Sequence, residues 1–330
     1  MTVTGAAWRP AQGPVVCVGE TMAALAPDPP GPLADAGRLR MSVAGAGAES
    51  NVAMYLADHG VPVAWLSALG DDPLGRRVRA AVAVPGVDVS HVRTDPTRPT
   101  GLLVKDPSPD GTRVHYYRRG SAASALGPDL LDTAPVRGAA LVHLTGITPA
   151  LSPSCRSLTE QALAPVRPYA VSFDVNHRPA LWPDGDAPAV LRDLADRADV
   201  VLVGLDEAQG LWGADLTAQD VRALLPHPRV LVVKDGPRDA TAFTGEGPVT
   251  VPTPPVRVVE AVGAGDAFAA GFLAGLLQGR SVMAALRLGH LTAGSALGVV
   301  GDHGPLPDRE RLEELLALPT GEWAALTPQV

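Results

Sequence analysis

Pro14-Val15-Val16-Cys17-Val18-Gly19 is a short apolar run, β-branched at most positions and bounded by a proline and a glycine. Apolar runs of this length without polar alternation fit strands buried on both faces, as in a parallel sheet with helices on each side. Runs of the same kind recur at Val63–Leu69, Ala139–Leu144, Tyr169–Val175, Val200–Val203 and Val230–Val233. Between most of them the apolar spacing becomes helical, at Glu49–His59, Pro73–Val84, Ser154–Ala164, Ala187–Ala198 and Thr217–Leu225. Strands alternating with helices imply right-handed crossovers and a mostly parallel sheet, so the fold class is α/β.

Two stretches interrupt the alternation. Thr100–Arg118 (TGLLVKDPSPDGTRVHYYR) reads as two strands joined by a turn-rich loop, Asp106-Pro107-Ser108-Pro109-Asp110-Gly111. Thr21–Arg40 is rich in proline and short on helical periodicity. A hairpin inserted into an α/β chain is often an extra sheet over the active-site edge, the alternative being a surface ornament. From Asp266 onward the chain reads as helical, over Asp266–Gln278, Ser281–Ala296 and Pro307–Leu318, and no internal repeat is visible.

A chain of 330 residues can bury a large core, and its 35 glycines and 33 prolines punctuate many short connections. The 27 basic and 35 acidic residues give a formal charge of −8, which provides no global attraction for nucleic acid or an anionic membrane. Phosphates, if bound, must be met by local arginines, lysines and backbone amides. Cys17 and Cys155 do not make a disulfide framework, and Cys17 reads as a buried inert thiol. Neither a CxxC nor an HExxH motif occurs. Residues 1–13 hold no apolar signal-peptide core, and no apolar run reaches transmembrane length. The expectation is a cytoplasmic enzyme with a flexible N-terminal segment over residues 1–13.

The segment that carries chemistry is Glu260-Ala261-Val262-Gly263-Ala264-Gly265-Asp266-Ala267-Phe268. It follows the strand-like Val256–Val259 and opens a helix rich in small residues. Glycines before a helix let backbone N–H groups converge, and the helix dipole adds partial positive charge, so an anion is held without a cationic side chain. Asp266 at that spot is either an N-cap or a base that takes a hydroxyl proton beside a phosphoryl group. Spacing alone leaves both open. No G-x-x-x-x-G-K-[ST] is present, and the segment lies too late in the chain for a dinucleotide fingerprint.

Gly263-Ala264-Gly265-Asp266-Ala267-Phe268-x-x-Gly271 resembles the C-terminal signature of the ribokinase-like (PfkB) carbohydrate kinases. Gly47-Ala48-Glu49-Ser50-Asn51-Val52-Ala53, followed by Leu69-Gly70-Asp71-Asp72-Pro73-Leu74-Gly75, resembles the N-terminal one. Order and separation match as well, and the likeness covers roughly residues 14–318. It implies a ribokinase-like three-layer sandwich, a single kinase domain over 1–330, and a small β-sheet lid from segments 20–42 and 95–120. It also implies ATP and Mg²⁺, leaves room for a monovalent cation such as K⁺, and suggests a homo-oligomer paired through the lid. Asp266 becomes the catalytic base, Gly263, Ala264 and Gly265 the anion hole, and Gly47 and Asn51 substrate contacts.

Three further segments look like the 2-keto-3-deoxygluconate kinase branch of that family. They are Tyr116-Tyr117-Arg118-Arg119-Gly120-Ser121-Ala122-Ala123-Ser124, His143-Leu144-Thr145-Gly146-Ile147-Thr148-Pro149-Ala150 and Phe173-Asp174-Val175-Asn176-His177-Arg178-Pro179-Ala180-Leu181-Trp182. An arginine fork and a tyrosine hydroxyl suit a sugar acid's carboxylate. The resemblance places Tyr116 and Arg118 against the substrate, and Arg178 near both the acid and the transferred phosphate. One of Tyr116 and Tyr117 fills the strand's other face, and a surface ion pair is the alternative for Arg178. In Val300-Gly301-Asp302-His303-Gly304 it suggests that Asp302 holds a sugar hydroxyl, an exposed turn being the alternative. Lys234 and Gly236, in Val232-Val233-Lys234-Asp235-Gly236, and Asn176 fall on the ATP side, although Lys234 could equally be a solvated strand end. Glu207, in Gly204-Leu205-Asp206-Glu207, stands at the glutamate of the family's Asn-x-x-Glu element, which organises Mg²⁺ through its water.

The chain departs from the pattern in four places. Gly204 replaces the asparagine of Asn-x-x-Glu, and Glu260-Ala261 replaces Asp-Thr before the glycines. Ala46 stands for the first of two glycines, and Leu103 for an aromatic residue. The expected reaction is ATP-dependent phosphorylation of the C6 hydroxyl of a 2-keto-3-deoxy sugar acid. The alternatives are a neutral-sugar kinase of the fructokinase or ribokinase type, and a non-catalytic sugar- or nucleotide-binding protein.

Overall fold

The run Val15–Val18 lies inside an eight-stranded sheet of the computed structural model, which describes residues 10–28, 31, 33, 39–108 and 111–326. The expectation of a flexible N-terminal segment falls largely on residues 1–9, outside the described residues. Across the sheet the strands are Gly247–Pro252, Asp239–Thr244, Val230–Lys234, Val200–Gly204, Ala170–Asp174, Leu141–Thr145, Val15–Val18 and Val63–Leu66. The last six are parallel to one another, and the first two add on as antiparallel strands. Side chains alternate between the faces of a strand, and two separate cores result. Val15, Cys17, Val200 and Leu202 join the core under helices Ala48–Asp58, Ala264–Leu277 and Val282–Leu297. Val16, Val18, Val201 and Val203 join the core under Pro153–Ala162, Ala187–Asp196 and Leu205–Trp212. This is a three-layer α/β sandwich, and burial of each large apolar side chain in it stabilises by about 1.5–3 kcal/mol.

Two sequence expectations about the large sheet need correction. The run Val63–Leu69 is two strands, because the Ser67 carbonyl accepts from Arg93 N–H and Ala68–Gly70 then pairs with Arg93–Asp95. Val256–Val259 is not a strand. Pro252, Pro254 and Pro255 precede it, and prolines cannot donate to a ladder. The sheet ends instead on the antiparallel pair Asp239–Thr244 and Gly247–Pro252, whose small and polar residues hid it and whose outer strand tolerates proline at the edge.

A second, four-stranded sheet runs in the order Met41–Ala46, Met22–Pro27, Leu102–Ser108, Gly111–Tyr117. Its strands come from the two segments expected to form a lid, with one pairing continuing to Ala46, while residues 29–30, 32 and 34–38 lie outside the described residues. The expected loop at Asp106–Gly111 is shorter than its composition implied. Pro107 pairs with Thr112 and Ser108 with Gly111, and residues 109–110 lie outside the described residues. Pro107 is tolerated because pairing with Met22–Pro27 reaches only Val104. Among the described residues no helix is long and apolar enough to cross a membrane.

Candidate active site

In a doubly wound sheet the crevice opens beyond the carboxyl ends of the strands, where the strand order reverses. Here Val15–Val18 pairs with Val63–Leu66 on one side and Leu141–Thr145 on the other. The turns after these strands and their neighbours carry Glu20, Thr145–Thr148, Asn176–Arg178, Gly204–Glu207 and Lys234–Gly236. Helix Ala264–Leu277 points its N-terminus at the same place.

Asp266 is not the cap of that helix. Gly263 is, in the left-handed region at φ 82°, and Asp266 is the third helical residue. Its carboxylate turns toward two asparagines: Asn51 Nδ2 donates to Oδ2 at 2.9 Å and Asn176 Nδ2 to Oδ1 at 3.2 Å. Asn176 reaches it from a φ of 38°, the single positive φ of a non-glycine among the described residues, a conformation that concentrates at functional sites. Asn51 is also 3.3 Å from Asp302 Oδ2, so one amide spans two acids. Burial pushes the Asp266 carboxyl up to about 7; the Asn51 bond and Arg178 oppose this, while Asp174 and Asp302 add repulsion.

The first helical bond runs from Ala267 N–H to the Gly263 carbonyl. The N–H groups of Ala264, Gly265 and Asp266 therefore have no partner within the helix. A Cβ on Gly265 would lie 3.6 Å from Lys234 Nζ, and one on Gly263 would come within 3.0 Å of Asp302. Lys234 donates to Asp174 Oδ2 at 3.0 Å. Burial alone would lower its pKa, but Asp174 and Glu207 together hold it above the usual value. A cleft of about 1110 Å³ continues from Lys234, Gly236, Ala264 and Gly265 between apolar walls that include Val256 and Phe268.

Glu207 accepts from Gly204 N–H at 2.9 Å and His177 N–H at 3.1 Å, and lies 3.8 Å from Arg178. It therefore pins the turn that carries Asn176. Burial and then Asp174 raise its pKa. Arg178, at 50% side-chain exposure, donates to the His177 carbonyl and is near enough to Asp266 to pull its pKa down. Gly47 precedes the helix that presents Asn51, and a Cβ there would lie 2.5 Å from the Glu20 carbonyl.

On the small sheet Tyr116 pairs with Leu103 and Lys105 with Val114, and cross-strand partners share a face. That face also holds Met22, Ala24 and Ala46, and its Lys105 donates to the Glu260 carboxylate of the glycine-rich segment. Tyr117 is on the other face. Arg118 lies just beyond the strand, with Nε 2.6 Å and Nη2 2.5 Å from Glu20 Oε2.

The model of the pfkB family carbohydrate kinases matches residues 13–309. This chain belongs to that family. Among curated pfkB-related proteins, the chain is 36% identical over 308 residues to the 2-dehydro-3-deoxygluconokinase of Thermoproteus tenax, covering 92% of this chain and 94% of that one. It is 37% identical to the enzyme of that name from Bacillus subtilis (strain 168), covering 82% and 86%, and 33% identical to a fructokinase of Klebsiella pneumoniae, covering 80% and 84%. The crystal structure of a PfkB protein from Polaromonas sp. JS666 superposes with a TM-score of 0.80 at 36% identity, covering 92% of this chain and 99% of that one. The fructokinase of Xylella fastidiosa with bound ATP gives 0.82 at 23% identity, covering 92% and 98%, a likeness of fold.

Within this pfkB kinase, residues far apart in sequence meet: Asn51, Asn176, Asp266 and Asp302 form one hydrogen-bonded group. Sequence reading did not single out Glu20, Glu49, Lys105 or Asp174. Glu49 is fully buried, its Oε1 accepting from Thr145 Oγ1 at 2.8 Å and Thr148 Oγ1 at 2.7 Å, and burial raises its pKa. Glu20 and Asp174 had a usable signal, because an acid at the carboxyl end of a buried parallel strand points into the crevice. Lys105 had none, since pairing it with Glu260 needs the fold.

Proposed function

We propose that this carbohydrate kinase transfers the γ-phosphoryl group of ATP to the primary C6 hydroxyl of 2-keto-3-deoxygluconate, with Asp266 as general base. The observation that carries the reading is the Asp266 carboxylate, buried, held near neutrality and oriented by two amides at a glycine-rich helix start. A base poised near the working pH combines a usable ionised fraction with useful proton affinity. Asn51 and Asn176 fix its two oxygens, and their own buried Oδ1 atoms have no donor among the described residues, which suits incoming hydroxyl groups. The N–H groups at Ala264–Asp266 and the Lys234 ammonium converge where charge grows on the transferred phosphoryl oxygens. Closing the small sheet over the cleft would exclude water as a competing acceptor.

Among the described residues no group of three or more His, Cys, Asp or Glu side chains forms a metal cage. Mg²⁺ bound with a nucleotide keeps several waters and needs few protein ligands. Asp174, whose buried Oδ1 has no donor among the described residues, and Glu207, whose charged form burial and Asp174 disfavour, fit such an ion. When bound, it neutralises phosphate charge. The match to relatives named 2-dehydro-3-deoxygluconokinase over most of the chain supports the sugar acid, and Tyr116 and Arg118 suit its carboxylate.

ADP release with Mg·ATP and a panel of 2-keto-3-deoxygluconate, fructose and ribose tests the assignment. The sugar acid is expected to give the highest kcat/KM; preference for fructose would make the chain a neutral-sugar kinase. The same assay across pH tests the base. With only the ionised carboxylate active, kcat/KM for the sugar should fall about tenfold per pH unit below a midpoint near 7 and level off above it. A limb centred near 4 would mean that the burial of Asp266 does not govern the rate.

A further inference from the structure

We propose that Lys105 and Glu260 are positioning residues for the transfer step, linking the small sheet to the base through two hydrogen-bonded links joined by the Gly301–Asp302 peptide. This inference rests on the reading of Asp266 given above. Lys105 extends from the cleft face of strand Leu102–Ser108 and donates to Glu260 Oε1, with both side chains largely buried, at 13% and 19% exposure. Glu260 Oε2 accepts from Gly301 N–H at 2.9 Å. Gly301 has a φ of 108°, and the next residue is Asp302. Asp302 Oδ2 and Asp266 Oδ2 share the Asn51 amide, and the backbone of Asp302 packs on Gly263 closely enough to leave no comfortable room for a Cβ there.

The electrostatics follow the same path. Burial pushes the Asp302 carboxyl up, the Lys105 ammonium and Asn51 pull it down, and Glu260 pushes it up. Lys105 is thus the cation that most opposes the effect of burial on Asp302. An exposed ion pair contributes little, but a partly buried one whose carboxylate also accepts a backbone N–H fixes geometry. Docking of the small sheet therefore seats Glu260, Glu260 seats the 300–304 turn, and the turn presents Asp302 to Asn51, whose amide bridges it to the base. Glu260 stands where the family pattern has aspartate, and its longer side chain reaches Lys105 and Gly301 together.

The test uses the full-length protein and the variants Lys105→Met, Lys105→Arg and Glu260→Gln. Amide hydrogen exchange over residues 299–304 is read beside steady-state kinetics. Lys105→Met is expected to speed exchange of the Gly301 amide and lower kcat, each by about tenfold, as for loss of a charge-assisted bond. KM for ATP should stay within about twofold, because the nucleotide cleft is untouched. Lys105→Arg should restore both, and Glu260→Gln should lower kcat like Lys105→Met. Wild-type exchange and kcat in Lys105→Met would overturn the coupling and leave the proposed reaction standing. A wild-type protein that releases no ADP with any sugar would overturn the reaction, and the exchange data would still decide the coupling.

Discussion

Asp266→Asn is expected to lower kcat by about 10³-fold while leaving the protein folded and, above neutrality, more stable than the wild type. The loss follows from the role of the carboxylate: an amide has no affinity for the hydroxyl proton, although it fills the same volume. The gain follows from burial. An aspartate whose pKa moves from its ordinary range to about 7 carries an ionisation cost of ~4 kcal/mol at high pH, as an upper figure. The sign is fixed by linkage. The folded state holds the proton more tightly than the unfolded chain, so wild-type stability falls as pH rises from the ordinary aspartate range through about 7. Asparagine has no charge to bury, and its advantage should widen between pH 5 and pH 8. Because Asn51 Nδ2 also serves Asp302, it is Asn176, whose Oδ1 has no partner among the described residues, that can rotate to accept from the new N–H₂ group without a donor clash. Thermal melts at both pH values, read beside ADP release, check the pair of effects. Near-normal turnover in Asp266→Asn would remove Asp266 as the base, and a lower melting temperature at pH 8 would mean that the buried charge is better compensated than its surroundings indicate.

The parts of the molecule legible from sequence are those in which one residue type answers one physical demand. Val15–Val18 had to be a two-faced strand because four consecutive apolar residues cannot keep one face in water. Gly263 had to be glycine because its φ is left-handed and Asp302 stands 3.0 Å from where a Cβ would be. Arg118 was legible as a cation on the second hairpin segment, but its tie to Glu20 was not, since the two lie 98 residues apart in the chain. The N-cap alternative for Asp266 survived in the sequence because capping and catalysis use the same residue at nearly the same place. Three residues of helical phase decided it: at the third helical position, three past the cap at Gly263, the carboxylate accepts from Asn51 and Asn176. The antiparallel edge of the large sheet was missed for a different reason. Asp239–Thr244 and Gly247–Pro252 owe their pairing to each other and to the neighbouring strand, not to a strong apolar pattern of their own.

Arg118→Leu carries the second large effect, and Glu20 makes it separable from loss of fold. The Arg118 guanidinium commits Nε and Nη2 to one oxygen of Glu20, a residue only 2% exposed, and Nη1 is the remaining nitrogen of the fork. An incoming carboxylate would meet a cation already oriented by its partner, so little ordering is lost on binding. Removing the guanidinium should lower kcat/KM for 2-keto-3-deoxygluconate by about 10²- to 10³-fold, the range for truncating one side of a buried charge contact. It also strands Glu20 with Ser121 as its remaining side-chain partner, which costs about 3–5 kcal/mol of stability by itself. The double variant Glu20→Gln with Arg118→Leu removes the stranded charge and keeps an amide for Ser121. Its melting temperature should return toward the wild-type value while keto-acid turnover stays low, and any activity on fructose should change far less than activity on the acid. Recovery of keto-acid kcat/KM in the double variant would show that Arg118 matters only as the counter-ion of Glu20. Recognition of the carboxylate would then pass to Arg178, whose weak 3.8 Å contact with Glu207 leaves its guanidinium able to turn toward a ligand.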